Sequence, residues 1–131
     1  MSSTPEYFSE LHQTIKKLLG EKGCPWDKRQ TNTSLQKHLI SELAEVNTAI
    51  DRNDHENLCE ELGDLLYLIL LISEINDRQG IFSLDRVLQT VTAKLIRRHP
   101  HVFEEFTEKS DEELRAQWLA IKAREKSEKL I

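Results

Sequence analysis

Glu61-Leu62-Gly63-Asp64-Leu65-Leu66-Tyr67-Leu68-Ile69-Leu70-Leu71-Ile72-Ser73-Glu74-Ile75 is the stretch that decides the architecture of this chain. Within it, Glu61, Asp64, Leu68, Leu71 and Ile75 recur at steps of three, four, three and four, which is one stripe of an α-helix. The lower part of the stripe is aliphatic and must be buried. The upper part is two carboxylates. From Leu65 to Ile72 the segment is apolar nearly all round, as in a central helix covered on several sides. That run is far shorter than the roughly 18 residues a membrane span needs.

Immediately upstream, Leu35, Leu39, Leu43, Val46 and Ile50 predict a helix over about Ser34 to Arg52 with those residues as its core face. Beside that face runs a second stripe, Leu35, His38, Glu42, Glu45 and Ala49. A tight connection at Asn53-Asp54, with Asn53 and Glu56 as a capping box, makes the two helices antiparallel neighbours. Their two acid pairs then face each other across a seam. An earlier helix, about Pro5 to Leu19, carries a core stripe of Phe8, Leu11, Ile15 and Leu18 or Leu19. A loop from Gly20 to Asn32 follows and holds Cys24-Pro25-Trp26-Asp27. A fourth helix starts after Ser83 and stops before Pro100. A fifth begins near Ser110, where Ser110 and Glu113 form another capping box. It buries Leu114, Trp118 and Ile121, then gives way to a charged, solvated tail over about 122–131. No stretch alternates long enough to make a strand. The expected fold is all-α, a bundle of about five helices.

A length of 131 residues allows one domain with a real core and is too short for two ordinary ones, so 1–131 reads as a single domain. A net charge of -5 disfavours general nucleic-acid binding through a basic surface. The N-terminus has neither a basic start nor an apolar signal core, so no membrane partner is expected. Cys24 and Cys59 lack CxxC spacing, and a reducing cytoplasm is the expected compartment.

Four carboxylates in a half-buried seam repel one another and lose hydration, at a cost of about several kcal/mol per ion if nothing compensates. Protonation or a bound cation relieves this. All-oxygen ligands select magnesium, manganese or calcium over zinc. Lys94, Arg97 and Arg98, near the end of the fourth helix, add the cations that a polyphosphate needs. Acids early in a helix and cations late in one also serve the helix dipole, so each motif alone is ordinary. The pairing of two acid motifs on adjacent helices is what points to a site. Trp26 could stack on a nucleobase, or be a core or dimer-contact tryptophan.

Several segments together resemble the MazG-type nucleoside triphosphate pyrophosphohydrolases. Gly23-Cys24-Pro25-Trp26-Asp27-Lys28-Arg29-Gln30-Thr31 looks like that family's N-terminal signature. Glu42-x-x-Glu45 and Glu61-Leu62-Gly63-Asp64-Leu65-Leu66 are similar to its two metal-binding motifs. Lys94-Leu95-Ile96-Arg97-Arg98-His99-Pro100-His101-Val102-Phe103 is similar to the segment that follows, and Trp118-x-x-Ile121-Lys122 to the end of the domain. The resemblance covers about residues 5 to 125. It implies a MazG-like helical domain completed by dimerisation; independently, the all-round apolar run Leu65 to Ile72, more than a small single bundle can cover, leads to the expectation of a homodimer or a dimer of dimers. It implies hydrolysis of a nucleoside triphosphate to the monophosphate and pyrophosphate, with Mg²⁺ or Mn²⁺ in its place. By position, Glu42, Glu45, Glu61 and Asp64 would be metal ligands, and Lys94 and Arg98 would contact phosphates.

The expectation is therefore a Mg²⁺-dependent nucleotide pyrophosphohydrolase of nucleotide-pool house-cleaning, with Glu42 or Glu45 as general base. Rival readings are a dCTP-type or phosphoribosyl-ATP pyrophosphohydrolase, a non-catalytic nucleotide- or metal-binding regulatory module, and a plain helical interaction protein.

Overall fold

The computed structural model describes residues 2–128. Among them the chain is helical with no strand, which agrees with the all-α expectation. There are seven helices rather than about five. The two additions are short, α2 (Pro25–Arg29) and α6 (Pro100–Phe103), and both start at a proline. Proline's fixed φ suits the first helical turn, where its missing N–H costs nothing. Two compact units meet in sequence at Leu84 and Asp85.

In the first unit, α3 (Asn32–Asp51) and α4 (His55–Arg78) form a long antiparallel hairpin. A capping box opens α3: Ser34 N–H donates to Thr31 Oγ1 at 3.0 Å and Thr31 N–H to Ser34 Oγ at 2.8 Å. The turn between the helices corrects the expected Asn53/Glu56 box. Asn53 takes a left-handed φ of 51°, and Asp54 becomes the cap, accepting from Asn57 N–H at 3.1 Å. Asparagine tolerates that conformation better than most residues. At the far end, Asn32 and Asn76 exchange amide hydrogen bonds at 2.8 and 3.2 Å, which fixes the register.

On α4, Glu61, Leu68, Leu71 and Ile75 of the expected stripe are buried, whereas Asp64 is exposed. On α3 the expected core face needs correction. Leu35, Glu42, Val46 and Ala49 are buried, whereas Leu43 and Ile50 are half exposed. Two stripes lie side by side on α3, and the one carrying the acids turns toward α4. Leu62, Leu66 and Ile69 also stand exposed on the opposite face of α4. Among the described residues, no helix is long and apolar enough to cross a membrane.

Helix α1 (Thr4–Leu18) runs parallel to α4 and buries Ile15. His12 Nε2 lies 3.4 Å from Glu74 Oε2, and Arg78 donates to the Leu19 and Lys16 carbonyls at 3.0 and 3.3 Å. Those carbonyls are the unsatisfied end of α1, and the guanidinium caps them. The chain then turns back so closely that Cys24 N–H donates to Leu18 O at 2.8 Å. Gly23 makes this possible: a Cβ there would lie 2.0 Å from Leu18 O and 2.8 Å from Lys17 O.

In the second unit, α5 (Leu84–Arg98) and α7 (Asp111–Glu128) are joined by buried charge. Glu125 is fully buried and meets Arg97 Nε at 2.5 Å and Arg98 Nη2 at 2.8 Å. The Arg98 hydrogen bond, helped by Arg97, holds the Glu125 carboxyl below its usual range against the effect of burial. This corrects the expected solvated tail, since α7 continues through Glu128; residues 129–131 of that tail lie outside the described residues. Ile121 is buried as expected, but Trp118 stays 39 % exposed, with Arg98 and Lys122 over its ring at 5.6 and 4.4 Å. Ser110 and Glu113 do form the expected capping box, with Glu113 N–H donating to Ser110 Oγ at 3.2 Å and Ser110 N–H to Glu113 Oε1 at 3.3 Å.

Replacing Gly23 with Ala should lower unfolding stability by about 2 kcal/mol, because the methyl group must push backbone apart. Urea titration checks this, and an unchanged midpoint would contradict the close approach described here.

Candidate metal centre

Glu42 and Glu45 leave α3 one turn apart, and Glu61 leaves the facing stretch of α4. One carboxylate oxygen from each lies within 4.8 Å of the others. Glu42 and Glu61 are buried, while Glu45 is exposed. Glu42 Oε1 and Glu61 Oε2 are buried without any hydrogen-bond partner. Ionised carboxylates are acceptors only, so two of them cannot satisfy each other.

The electrostatics follow from that crowding. A protonated Glu61 can donate to Glu42 first and to Glu45 next. Those bonds, with burial and the two neighbouring charges, push Glu61 up to about 8. Burial raises Glu42 as well, with added repulsion from Glu45 and Asp64 and partial relief from Glu61. A divalent cation would relieve the same strain in another way. Two orphaned buried oxygens beside a third glutamate, with no sulfur donor among them, are a donor set that fits a hard divalent ion.

Asp64 is exposed and lies outside that tight trio, but it lines the same open cleft of about 320 Å³ with Glu42 and Glu45. The expected four acids thus become three in mutual reach and one at the cleft wall. Trp26, His38 and Tyr67 complete the aromatic side of the cleft. Trp26 is 37 % exposed and stands edge-to-face against His38, with centroids 5.3 Å apart at 75°. Tyr67 donates its hydroxyl proton to Asp27 Oδ1, and Asp27 is buried. Burial, with the Asp27 carboxylate next to it, pushes the Tyr67 phenol up. Sequence reasoning passes over Asp27 and Tyr67 as site residues. The available signal is an acid next to Trp26 in a motif too short to show where it points.

The candidate phosphate ligands Lys94, Arg97 and Arg98 belong to the second unit. Arg97 and Arg98 are both engaged by Glu125. Lys94 has no ion-pair partner among the described residues.

Comparison with known proteins bears on the family and the fold. Residues 30–103 match the model of the MazG nucleotide pyrophosphohydrolase domain. The nucleoside triphosphate pyrophosphohydrolase/pyrophosphatase MazG of Thermotoga maritima is 41% identical over 93% of this chain, which spans 46% of that protein. YabN of Bacillus subtilis is 41% identical over 92% of the chain, which spans 24% of it. The chain therefore covers less than half the length of these relatives. The crystal structure of a mazG-related protein from Thermotoga maritima superposes with a TM-score of 0.76 at 33% identity, covering 88% of this chain and 98% of that one. This chain belongs to the MazG nucleotide pyrophosphohydrolase family.

Proposed function

We propose that this chain hydrolyses nucleoside triphosphates to the monophosphate and pyrophosphate with magnesium, as a cytoplasmic house-cleaning activity on the nucleotide pool. The observation that carries this reading is the trio Glu42, Glu45 and Glu61, whose oxygens crowd within 4.8 Å and include two buried atoms without partners. The names of the relatives support the same reaction. We take 1–131 as one working MazG-like domain. The exposed apolar residues Ile40, Leu43 and Ile50 on α3 and Leu62, Leu66 and Ile69 on α4 support a homodimer or a dimer of dimers that covers them.

Glu42, Glu45, Glu61 and Asp64 would hold the metal. Magnesium, or manganese in its place, would supply Lewis acidity toward phosphate oxygens and water. Glu42 or Glu45, whichever keeps an oxygen free, takes the proton of the water that attacks the α-phosphorus. Burial raises Glu42, which makes it a stronger base than an exposed glutamate. Lys94, Arg97 and Arg98 are the cationic groups for the phosphates and the departing pyrophosphate. Trp26 offers its ring to the base.

A panel of NTPs and dNTPs with Mg²⁺, followed for pyrophosphate and orthophosphate separately, tests the reaction. Pyrophosphate should appear with the monophosphate, and both should stop in EDTA. Glu61→Gln should abolish this release while leaving the metal-free protein at least as stable as wild type, because the amide sits in the seam neutral without having to take up a proton, as the crowded Glu61 carboxyl must. Orthophosphate as the first product, or a wild-type rate in Glu61→Gln, would overturn the proposal.

The basic residues separate by variant. Lys94→Ala should keep the fold and raise KM by about tenfold, as loss of one charge-assisted contact does. Arg98→Ala should in addition lower the melting temperature, because it strips a donor from buried Glu125. Equal stability loss in both variants, or an unchanged KM in Lys94→Ala, would contradict this assignment.

A further inference from the structure

Asp27 stands apart from the three clustered glutamates, yet it is only 5 % exposed. A carboxylate withdrawn from water needs strong donors. Tyr67 Oη donates one, and a charged acceptor makes that bond one of the stronger kind. Asp27 sits on α2, directly after Trp26. Tyr67 sits on α4, three residues beyond Asp64. The bond therefore pins the short α2 to the helix that carries Glu61 and Asp64.

The other ties of α2 run elsewhere. Cys24 N–H reaches Leu18 O at 2.8 Å, Lys28 Nζ reaches Glu21 O at 3.1 Å, and Gln30 Nε2 reaches Trp26 O at 2.9 Å. These, with Ser34 Oγ donating to Gln30 Oε1 at 2.7 Å, fix the segment to the end of α1, to itself and, past its last turn, to the start of α3. They leave the approach of Trp26 to the cleft undetermined. The indole meets His38, one turn before Glu42 on α3, at 5.3 Å and 75°. Both rings line the cleft that Glu42, Glu45 and Asp64 share. A five-residue helix holds no fixed place by its own hydrogen bonds, so a long-range bond has to set it.

We infer that Asp27 and Tyr67 form a clasp that sets Trp26, backed by His38, as the wall on which the nucleobase of the substrate stacks. Both are positioning residues for base recognition. The inference rests on the nucleotide-hydrolysing reading of this cleft and adds to it the residues that orient the base. The clasp makes no demand on the phosphates, so its loss should separate base recognition from phosphate and metal recognition.

The test uses the full chain in a Trp118→Phe background, where Trp26 is the sole tryptophan. Tyr67→Phe, Asp27→Ala and Asp27→Asn are compared with that parent. The first readout is Trp26 emission and its quenching by acrylamide. Tyr67→Phe and Asp27→Ala should make Trp26 more quenchable, while Asp27→Asn, whose amide oxygen still accepts the Tyr67 proton, should match the parent. The second readout is KM and kcat for a dNTP, with the Ki of inorganic tripolyphosphate, which has no base. In Tyr67→Phe, KM should rise about tenfold, with kcat within about twofold and Ki unchanged. Should Asp27→Ala not fold, Asp27→Asn combined with Tyr67→Phe removes the buried charge, keeps the shape and should show the same KM-only defect.

Unchanged quenching in Tyr67→Phe, a parallel rise of KM and Ki, or Asp27→Asn behaving as Asp27→Ala would each overturn the clasp. A parent whose Trp26 emission ignores saturating dNTP would do so too. A parent that shows the emission change but releases no pyrophosphate sinks the hydrolase reading and leaves the clasp as the base wall of a nucleotide-binding site.

Discussion

Mutual repulsion among Glu42, Glu45 and Glu61 is the constraint around which the first unit is organised. One carboxylate oxygen from each lies within 4.8 Å of the others in a seam that partly excludes water, and Glu42 and Glu61 each bury an oxygen with nothing to accept from. No apolar packing can neutralise that charge. The rest of the hairpin has to hold the two helices together in spite of it. Between the acids and the Asn32–Asn76 end, Leu68, Leu71 and Ile75 on α4 and Leu35 on α3 supply the buried surface, and Ala49 does so on the side of the turn. The Asn32–Asn76 amide pair closes the far end, and Asn53 with Asp54 closes the near one. A site strained at one end is thus braced at both ends and along its lower half, as functional sites commonly are.

The second unit handles charge in the opposite way. Glu125 is as deeply buried as any of the described residues, but two guanidiniums meet it, so its carboxyl is held below the normal range while Glu61 is pushed above it. The contrast separates a structural acid from a candidate ligand on physical grounds. Burial is shared by both; the presence of donors is not. It also changes what the arginines can be asked to do. A side chain already neutralising a buried acid carries structural weight along with any role toward phosphate, whereas Lys94 makes no ion pair among the described residues.

Much of this was legible in the residue order. The all-helical fold, the hairpin and the stripe Glu61, Leu68, Leu71 and Ile75 follow from 3.6-residue periodicity and the scarcity of strand patterns. The same spacing brings Glu42, Glu45 and Glu61 together, but it also puts Asp64 on the α4 stripe, and Asp64 stands exposed outside the trio. What could not be read was rotation and reach. Leu35, Glu42 and Ala49 form a stripe adjacent to Leu39, Leu43 and Ile50, and periodicity ranks the aliphatic one first. Only the packing of α4 shows that the acidic stripe turns inward. Asp27 with Tyr67, and Glu125 with Arg97 and Arg98, are long-range pairs whose partners lie 40, 28 and 27 residues apart. No local pattern announces such contacts. The short α2 and α6 escaped because a single proline-led turn lacks the length over which periodicity becomes visible.

The central proposal is that the crowded carboxylate seam binds a divalent cation, and the melting temperature against pH in EDTA and in Mg²⁺ tests it most directly. Glu61 releases its proton near 4.5 when unfolded and at about 8 when folded. Between those values the folded protein holds a proton that the unfolded chain has lost, so metal-free stability must fall as pH rises toward 8. Magnesium, which replaces that proton, should raise the melting temperature most at the alkaline end. Glu61→Gln is the control and should lose both the slope and the magnesium response. A wild-type protein whose melting temperature follows the control in slope and ignores magnesium at every pH would contradict the account.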